Sequence, residues 1–154
     1  MDIQLRTANK NDVEILQGLN NELFIDNQKY DDDMVMNWST GEKGKNYFTR
    51  IINNKQAFCS IAEVKGRAVG YISCEKKEES SRKSRYFEIA NMGVISEYRS
   101  KGVGTLLIKK AKEWAKKNGY QRLFVNSYFK NHKAIAFYKR NGFKEIDVSL
   151  EIKL

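Results

Sequence analysis

The spacing of apolar residues alternates between two periods along the chain, and the order of these periods predicts an α/β fold. Apolar positions with a period of two, or in runs of strand length, predict strands at 3–6, 57–64, 68–75, 86–95, 121–127 and 143–152. Spacings of three and four predict helices at 13–25, 105–118 and 131–140, the first capped by Asn9 or Asn11. A shorter helical region is expected from Asp31, and one or two further helical turns at 47–52. Hairpins mixed with crossover helices indicate a mixed sheet.

A basic turn with two glycines separates the 86–95 strand from the 105–118 helix. Its sequence is Arg99-Ser100-Lys101-Gly102-Val103-Gly104, with Thr105 at the start of the helix. Such a turn presents unpaired backbone N–H groups and the positive end of the helix dipole. Glycine lacks the Cβ atom that would hold a phosphate away from the backbone, and the arginine and lysine add positive charge. The turn therefore indicates a phosphate site, the alternative being an ordinary solvated helix start.

The spacing within this turn disfavours two common nucleotide-binding classes. Leu107 stands where the third glycine of a Gly-x-Gly-x-x-Gly dinucleotide motif would fall. The Gly-Lys-Ser/Thr ending of an ATP-binding loop is also absent. The residues thus indicate a bound phosphate without identifying the molecule that carries it.

Two patterns in the second half of the chain are informative together. Arg-x-x-Gly-x-Gly at 99–104 follows Met92-Gly93-Val94 and precedes a Leu-Leu helix, and Asn-x-x-Ala-x-x-Phe-Tyr at 131–138 is followed by Gly142-Phe143. In this order they closely resemble the motifs of the GNAT superfamily of acyl-CoA-dependent N-acetyltransferases. The resemblance covers the chain from about Val64 onward and is only topological before it. Ser100 departs from the pattern, because many members have glycine directly after the arginine.

The resemblance implies an architecture for the whole chain. We expect a single N-acetyltransferase domain over 1–154, with a mixed, mostly antiparallel sheet of about six or seven strands and about four flanking helices. In that family strands 4 and 5, here 86–95 and 121–127, splay apart. The pantetheine arm of acetyl-CoA enters the gap between them, so acetyl-CoA is the expected cosubstrate.

The resemblance also assigns cofactor contacts to individual positions. It places the pantetheine arm against the main chain of one strand and against one side chain of the late helix, and it places the pyrophosphate on the glycine turn. The residues so assigned are Met92, Val94, Arg99, Ser100, Lys101, Gly102, Val103, Gly104, Thr105 and Asn131. For Asn131, a plain helix N-cap is an alternative that is compatible with this role.

Two side chains are candidates for proton transfer. An amine is mostly protonated at neutral pH and must lose a proton before it attacks a thioester. Glu88 lies on the strand that binds the thioester arm, and several family members use a glutamate at this position as base through water; the alternative is a solvated residue or an ion pair with Arg85 or a lysine. Tyr138 matches the family tyrosine near the sulfur and is expected to donate a proton, because a phenol with a pKa near 10 stays protonated. The alternative for Tyr138 is a packed aromatic residue.

Charge and hydropathy restrict the partners. The chain of 154 residues carries 28 basic and 19 acidic side chains, a formal net charge of +9. No helix combines a continuous basic stripe with interleaved aromatic residues, so a lysine-rich surface is favoured over nucleic-acid binding. There is no apolar run of transmembrane length and no charged-then-apolar leader, which predicts a soluble cytoplasmic protein with no membrane partner.

Cysteine and histidine give no sign of a metal or a covalent nucleophile. Cys59 and Cys74 fall on two strands of one predicted hairpin, diagonal or on opposite faces, so we expect reduced core thiols. His132 has no motif-like relation to a nucleophile and is expected at the surface. The only clustered carboxylates, at 31–33, have no ligand periodicity, so no metal is expected.

The expected function is direct transfer of an acetyl group from acetyl-CoA to a primary amine, without a covalent enzyme intermediate. The alternative from another class is a non-catalytic acyl-CoA-binding sensor or regulatory module. The acceptor, a small molecule or a peptide, is left open because residues 26–54 would build its pocket and have weak periodicity. Asp26 and the acidic run at 31–33 could attract a cationic amine or simply cap a helix. A homodimer is possible, as in many relatives.

Overall fold

The computed structural model describes residues 1–154, with nine regular elements. In chain order they are β1 (Gln4–Thr7), α1 (Val13–Asn27), α2 (Glu42–Asn53), β2 (Phe58–Val64), β3 (Arg67–Lys77), β4 (Tyr86–Val94), α3 (Val103–Lys117), β5 (Arg122–Val125) and α4 (His132–Arg140). Short 3-10 turns precede α1 at Lys10–Asp12 and follow β4 at Ser96–Tyr98. Asn9, one of the two predicted caps, accepts a hydrogen bond from the Asn11 amide and so caps the first of these turns.

The five strands form one sheet in the order β1-β2-β3-β4-β5. Neighbouring strands are antiparallel except β4 and β5, which are parallel. The predicted mixed sheet with about four helices is confirmed, but the count of six or seven strands is wrong. Residues 143–152, predicted as a strand, form no regular element, and no backbone amide beyond Phe143 bonds to another backbone group. Alternation alone does not make a strand, because a strand also needs a partner edge.

The fourth and fifth strands are paired over only part of their length. The register runs from Tyr86 opposite Arg122 to Ile89 opposite Val125, where β5 ends. Strand β4 continues to Val94 with β3 as its only neighbour. Beyond Ile89 the sheet is therefore open on one side of β4, which is the position of the predicted gap.

Each face of the sheet carries its own apolar core. The face under α3 holds thirteen buried residues, among them Ile72, Phe87 and Leu107. The face under α1 and α2 holds eight, among them Phe48 and Tyr71. Alternate residues of a strand point to opposite faces, so the strands supply both cores. The gap beside β4 lies between these two layers.

The region between α1 and α2 differs from the sequence prediction. Residues 31–33 form turns and begin no helix, and the second helix starts eleven residues later, at Glu42. Gly41 is its N-cap, and a Cβ atom on Gly44 would collide with the carbonyl oxygen of Ser39. The two glycines that interrupt the periodicity are therefore needed where the chain folds tightly into the helix. The helical turns predicted at 47–52 are part of this longer helix.

The two cysteines are free, buried and on opposite faces of the sheet. Cys59 lies opposite Ser73 and Cys74 opposite Phe58 in the β2–β3 register. Cys59 belongs to the core under α1 and α2, whereas Cys74 belongs to the core under α3. The sheet separates the two sulfur atoms, so the prediction of reduced core thiols is confirmed.

Candidate functional site

A groove crosses the open side of the sheet, between α1 on one side and α3 and α4 on the other. Its volume is about 1020 Å³, at the upper limit of the usual range for ligand sites. The walls include Met92 and Val94 of β4, Arg99 of the turn, Asn131 at the N-cap of α4 and Tyr138 in its last turn. The structure thus brings predicted cofactor residues from both halves of the resemblance to one cavity.

The glycine turn has free backbone amides beside this groove, which Ser100, Gly102, Gly104 and Thr105 line. The first bond of α3 is donated by the Leu106 amide to the Gly102 carbonyl at 3.1 Å. The amides from Ser100 to Thr105 have no backbone acceptor outside the helix and precede its first possible bond. Ser100 (φ 59°) and Gly102 (φ 88°) both adopt left-handed backbone conformations. This geometry explains why glycine suits position 100 in the family pattern and fits an anion that accepts several N–H bonds.

Three residues of the glycine turn, Gly104, Lys101 and Val103, have contacts that the sequence does not predict. A Cβ atom on Gly104 would lie 2.8 Å from Cζ of Phe137, so this glycine is required for close contact between α3 and α4. Gly104 also lines the groove, so this packing role stands beside the predicted one of leaving room for a phosphate. The Lys101 ammonium lies 5.2 Å from the Tyr98 ring centroid and outside the groove, and Val103 is buried in the core. Lys101 and Val103 can offer only their main-chain amides.

Arg99 is held in place by two partners within the chain. Its Nε donates to the Val94 carbonyl at 2.8 Å, and its terminal nitrogen donates to the Asp26 carboxylate. The pair with Asp26 joins the turn to the end of α1 across the groove. Arg99 therefore adds less free positive charge to the turn than its sequence position suggests, because a carboxylate already balances it.

The main chain of β4 faces the gap at alternate residues. The Ile95 amide donates to Val69 in β3, and Gly93 lies opposite Tyr71. In an antiparallel ladder alternate residues bond to the same neighbour, so Met92 and Val94 direct their N–H and C=O groups away from β3. The Val94 carbonyl is taken by Arg99, which leaves the Val94 amide and both main-chain groups of Met92 available to a ligand.

Tyr138 places a hydroxyl without a protein partner in the groove. Its ring lies between Phe137 and Phe143, at centroid distances of 5.3 and 5.6 Å, and it lines the cavity. No hydrogen bond within the chain involves its oxygen. Burial raises the pKa of Tyr138 to about 12, because the phenolate would lose its hydration. The side chain is therefore a neutral donor at physiological pH.

Two residues at the start of α4 complete this wall. The Oδ1 atom of Asn131 accepts from the Ala134 amide at 3.1 Å, so the predicted N-cap role is confirmed. The Asn131 side-chain amide makes no hydrogen bond within the chain and stays available. His132 is exposed, as predicted, although it also lines the groove.

Glu88 lies on the opposite face of the sheet from Tyr138. It is paired across the strands with Glu75, whose carboxylate binds Arg50 of α2 at 2.7 Å. Directly opposed residues point to the same face, so Glu88 faces α2, just before the strands separate. Its carboxylate forms no ion pair or hydrogen bond within the chain, and the alternative of a pair with Arg85 or a lysine is not realised.

A buried polar network under α1 was missed by the sequence reasoning. The Asn20 amide donates to the Tyr71 hydroxyl at 2.7 Å and to the Asn91 side chain at 3.2 Å, and Ser39 donates to Asn20 at 2.5 Å. Tyr47 and Ser73 share a hydrogen bond of 3.0 Å beside it. The available signal was Asn20, a polar residue on the apolar stripe of the first helix between Leu16 and Leu23.

The acidic run at 31–33 has a local structural role. The Tyr128 hydroxyl donates to Asp31 at 2.7 Å, and the Asp33 amide donates to the same carboxylate at 3.0 Å. These bonds, Tyr128 first, lower the pKa of Asp31. Asp31 thereby ties the segment after α1 to the loop after β5.

Alkaline pH should destabilise the fold through buried groups near this site. Burial raises the pKa of Tyr47, Tyr138 and Cys59 to about 12 each. Each group holds its proton more tightly when folded, so its stabilising effect is complete below the unfolded pKa, about 9 for the thiol and about 10 for the phenols, and is lost as pH rises toward 12. We expect the free energy of unfolding to fall by about 3 kcal/mol for each phenol and about 4 kcal/mol for the thiol over this window.

Urea unfolding at a series of pH values measures this effect. Tyr47→Phe serves as the matched variant, since it removes one titrating group and should make the alkaline decline shallower. Unchanged stability of the native chain up to the alkaline end of the window would show that these groups titrate normally.

The partly unpaired sheet, the free amides of the glycine turn and the groove define an α/β protein with one candidate ligand site beside β4. The model of the acetyltransferase (GNAT) family matches residues 22–143. The chain belongs to this family, and the predicted resemblance is confirmed.

Individual relatives agree with the family match. An uncharacterised N-acetyltransferase of Methanocaldococcus jannaschii is 36% identical over 103 residues, which cover 66% of this chain and 46% of the relative. Streptothricin acetyltransferase A of Bacillus subtilis is 33% identical over 116 residues, covering 75% of this chain and 57% of the relative. The chain thus spans about half the length of these curated relatives.

A solved structure supports the fold over the whole chain. The aminoglycoside N-acetyltransferase AAC(6')-Iy, in complex with a bisubstrate analog, superimposes with a TM-score of 0.77 at 16% identity. The match covers 100% of this chain and 99% of that structure. At this identity the likeness concerns the fold.

No group of three or more histidine, cysteine, aspartate or glutamate side chains is placed to hold a metal ion. None of the helices combines the length and apolar content needed to span a bilayer.

Proposed function

We propose that this protein is an N-acetyltransferase that transfers an acetyl group from acetyl-CoA to a primary amine by direct attack. The observation that carries the proposal is the gap beside β4, with the free hydroxyl of Tyr138 in the groove on one face of the sheet. The free carboxylate of Glu88 lies on the other face, outside the groove lining and next to Ile89, the last residue of β4 that pairs with β5. A donor on one side and a base on the other match the two proton movements that aminolysis of a thioester needs.

The cofactor residues fit a pantetheine diphosphate. The free amides of Ser100 to Thr105 would hold the pyrophosphate, with the α3 dipole adding attraction. The main-chain groups of Met92 and the Val94 amide would bond to the peptide-like arm in the gap. Acetyl-CoA would supply the thioester, which is the activated acyl group. The Asn131 side-chain amide faces the same groove and would add a hydrogen bond.

In the proposed reaction the amine nitrogen forms a bond to the acetyl carbon, and the carbon–sulfur bond breaks. Glu88 accepts the proton that the amine loses, directly or through a water molecule. Tyr138 supplies a proton or hydrogen bond to the departing sulfur, for which its raised pKa keeps it protonated. The two buried cysteines lie within the cores and are not positioned as acyl carriers, which supports direct transfer.

The acceptor would enter from the side of α1 and α2. One relative is named for streptothricin and one structural neighbour for aminoglycosides, so small amine-bearing molecules are the first acceptors to test. The Asp31 carboxylate is already bound by Tyr128, and Asp26, in the wall of the groove, by Arg99. Attraction of a cationic amine would depend more on the exposed Asp32 and Asp33.

A turnover assay across amine classes tests the proposal. Release of the CoA thiol is followed with a disulfide reagent while aminoglycosides, polyamines and lysine-containing or free N-terminal peptides are supplied in turn. The protein's own thiols stay silent, because both are buried and burial raises the pKa of Cys59 to about 12. We expect one class to raise thiol release well above the amine-free rate, with a product heavier by one acetyl group. CoA binding without turnover on any amine would instead support the sensor alternative.

A further inference from the structure

Strand β4 contains an irregularity where its pairing with β5 ends. Ile89 lies opposite Cys74, and Asn91 lies opposite Ser73. Two steps along β4 therefore match one step along β3, and Ala90 has no partner in β3. Such an extra residue is a β-bulge, which bends a strand and often ends its pairing. The bulge follows directly on Ile89, the last residue of β4 that pairs with β5, so it marks the start of the gap.

The bulge determines which way the rest of β4 faces. A shift of one residue moves every following side chain to the other face of the sheet, and the direction of the main-chain groups alternates with the same period. In the bulged register Met92 and Val94 pack against the core under α3, and their main-chain groups face the gap. In a regular register Asn91 and Gly93 would take these positions. The bulge thus selects the main-chain groups that a ligand in the gap meets.

A buried asparagine of α1 holds the strand just beyond the bulge. The side-chain amide of Asn20 donates to the Asn91 side chain at 3.2 Å and to the Tyr71 hydroxyl at 2.7 Å. Its Oδ1 atom accepts from the Ser39 hydroxyl at 2.5 Å, and the residue is fully buried. Both ends of the amide thus have partners within the chain, which fixes the orientation of the Asn20 side chain toward β4.

The hydrogen bond between Asn20 and Asn91 can form only in the bulged register. Without the bulge, Ala90 would lie opposite Ser73 and face α1, and Asn91 would lie opposite Ile72, in the apolar core under α3. The Asn91 amide would then be buried without a partner, and Asn20 would lose an acceptor. Unpaired buried polar groups are costly, so this pair of asparagines disfavours the regular register.

We propose that Asn20 and Asn91 are positioning residues for the cosubstrate, because their hydrogen bond holds β4 in the register that directs the main-chain groups of Met92 and Val94 into the gap. Neither asparagine lines the groove, so each acts through the strand and not on the ligand itself. This role rests on the proposed function, since these main-chain groups would bind the pantetheine arm of acetyl-CoA. The diphosphate and nucleotide of the cosubstrate would bind at the glycine turn, which the pair of asparagines does not contact.

Calorimetric binding of two ligands tests this role: CoA, and adenosine 3′-phosphate 5′-diphosphate, which is CoA without its pantetheine arm. The matched variants are Asn91→Ala and Ser39→Ala. Each removes one hydrogen-bond partner of Asn20, but only Asn91 belongs to β4. We expect Asn91→Ala to weaken CoA binding at least about tenfold and to change binding of the arm-free nucleotide by less than about twofold. In Ser39→Ala both affinities should stay within about twofold of native.

Binding of the arm-free nucleotide also shows that a variant is folded. If Asn91→Ala does not fold, Asn91→Ser replaces it, because serine is too short to reach Asn20 but keeps a polar side chain. Unchanged CoA affinity in the Asn91 variant, equal weakening of both ligands, or the same selective loss in Ser39→Ala overturns the proposal. A native chain that binds CoA no more tightly than the arm-free nucleotide also overturns it. The selective loss in a protein that binds CoA without turnover would support this role and contradict only the proposed catalysis.

Discussion

Replacement of Tyr138 by phenylalanine should lower kcat by about ten- to a thousandfold, the range of a positioned acid or somewhat below it. The affinity for CoA should change little, because the hydroxyl forms no hydrogen bond within the chain and the ring keeps its contacts with Phe137 and Phe143. Stability should also be preserved. Steady-state kinetics with the best acceptor, together with calorimetric binding of CoA, measure the two effects separately.

A second tyrosine of the groove serves as the control for this variant. Tyr98 lines the cavity near the glycine turn, under Lys101, and away from the gap between the strands. Tyr98→Phe should therefore retain nearly native kcat. Because the pKa of Tyr138 is raised to about 12, Tyr138 stays protonated at neutral pH and moderately above it. In this pH range the pH–rate profiles of the native and Tyr138→Phe enzymes should therefore have the same shape, with a lower rate for the variant at every pH. Native activity in Tyr138→Phe would make Tyr138 a packing residue.

The part of the site that depends on local backbone geometry could be predicted from the sequence. A strand, a glycine turn and a helix follow one another within about twenty residues, so their free amides are fixed by chain order. The same holds for Asn131 and Tyr138, which are seven positions apart on one short helix. The sequence could not show that Gly102 and Gly104 are needed for different structural reasons. Gly102 has a positive φ, whereas Gly104 is required by Phe137, a residue more than thirty positions away.

The segment between α1 and α2 could not be predicted, because tertiary contacts determine it. Residues 31–33 resemble a helix start, yet the Asp31 carboxylate is bound by Tyr128, distant in sequence, and the helix begins only at Glu42. The polar network around Asn20 joins three elements and has no local signature apart from one misplaced polar residue. The alternation at 143–152 is a genuine strand pattern, but pairing depends on an edge that the single chain does not bring to it.

Replacement of Glu88 by glutamine should lower kcat/KM for the amine by about a hundred- to ten-thousandfold at neutral pH. The amide keeps the shape of the side chain but cannot accept the proton that the amine loses. Stability should not fall, since Glu88 forms no ion pair and faces Glu75 across the strands, where removal of one like charge is favourable. The deficit should shrink as pH approaches the pKa of the acceptor, because a growing fraction of the amine is then neutral without help.

Glu75→Gln distinguishes the base from its neighbour. Glu75 lies directly opposite Glu88 on the same face, but its carboxylate is bound by Arg50 at 2.7 and 3.3 Å and is less free to take a proton. We expect a much smaller loss of kcat/KM in Glu75→Gln. This loss should not shrink as pH approaches the pKa of the acceptor. If Glu75→Gln shows the larger, pH-dependent loss, Glu75 is the base. If neither variant loses activity, no carboxylate of this strand pair takes the proton, and the amine must be deprotonated by solvent before it attacks.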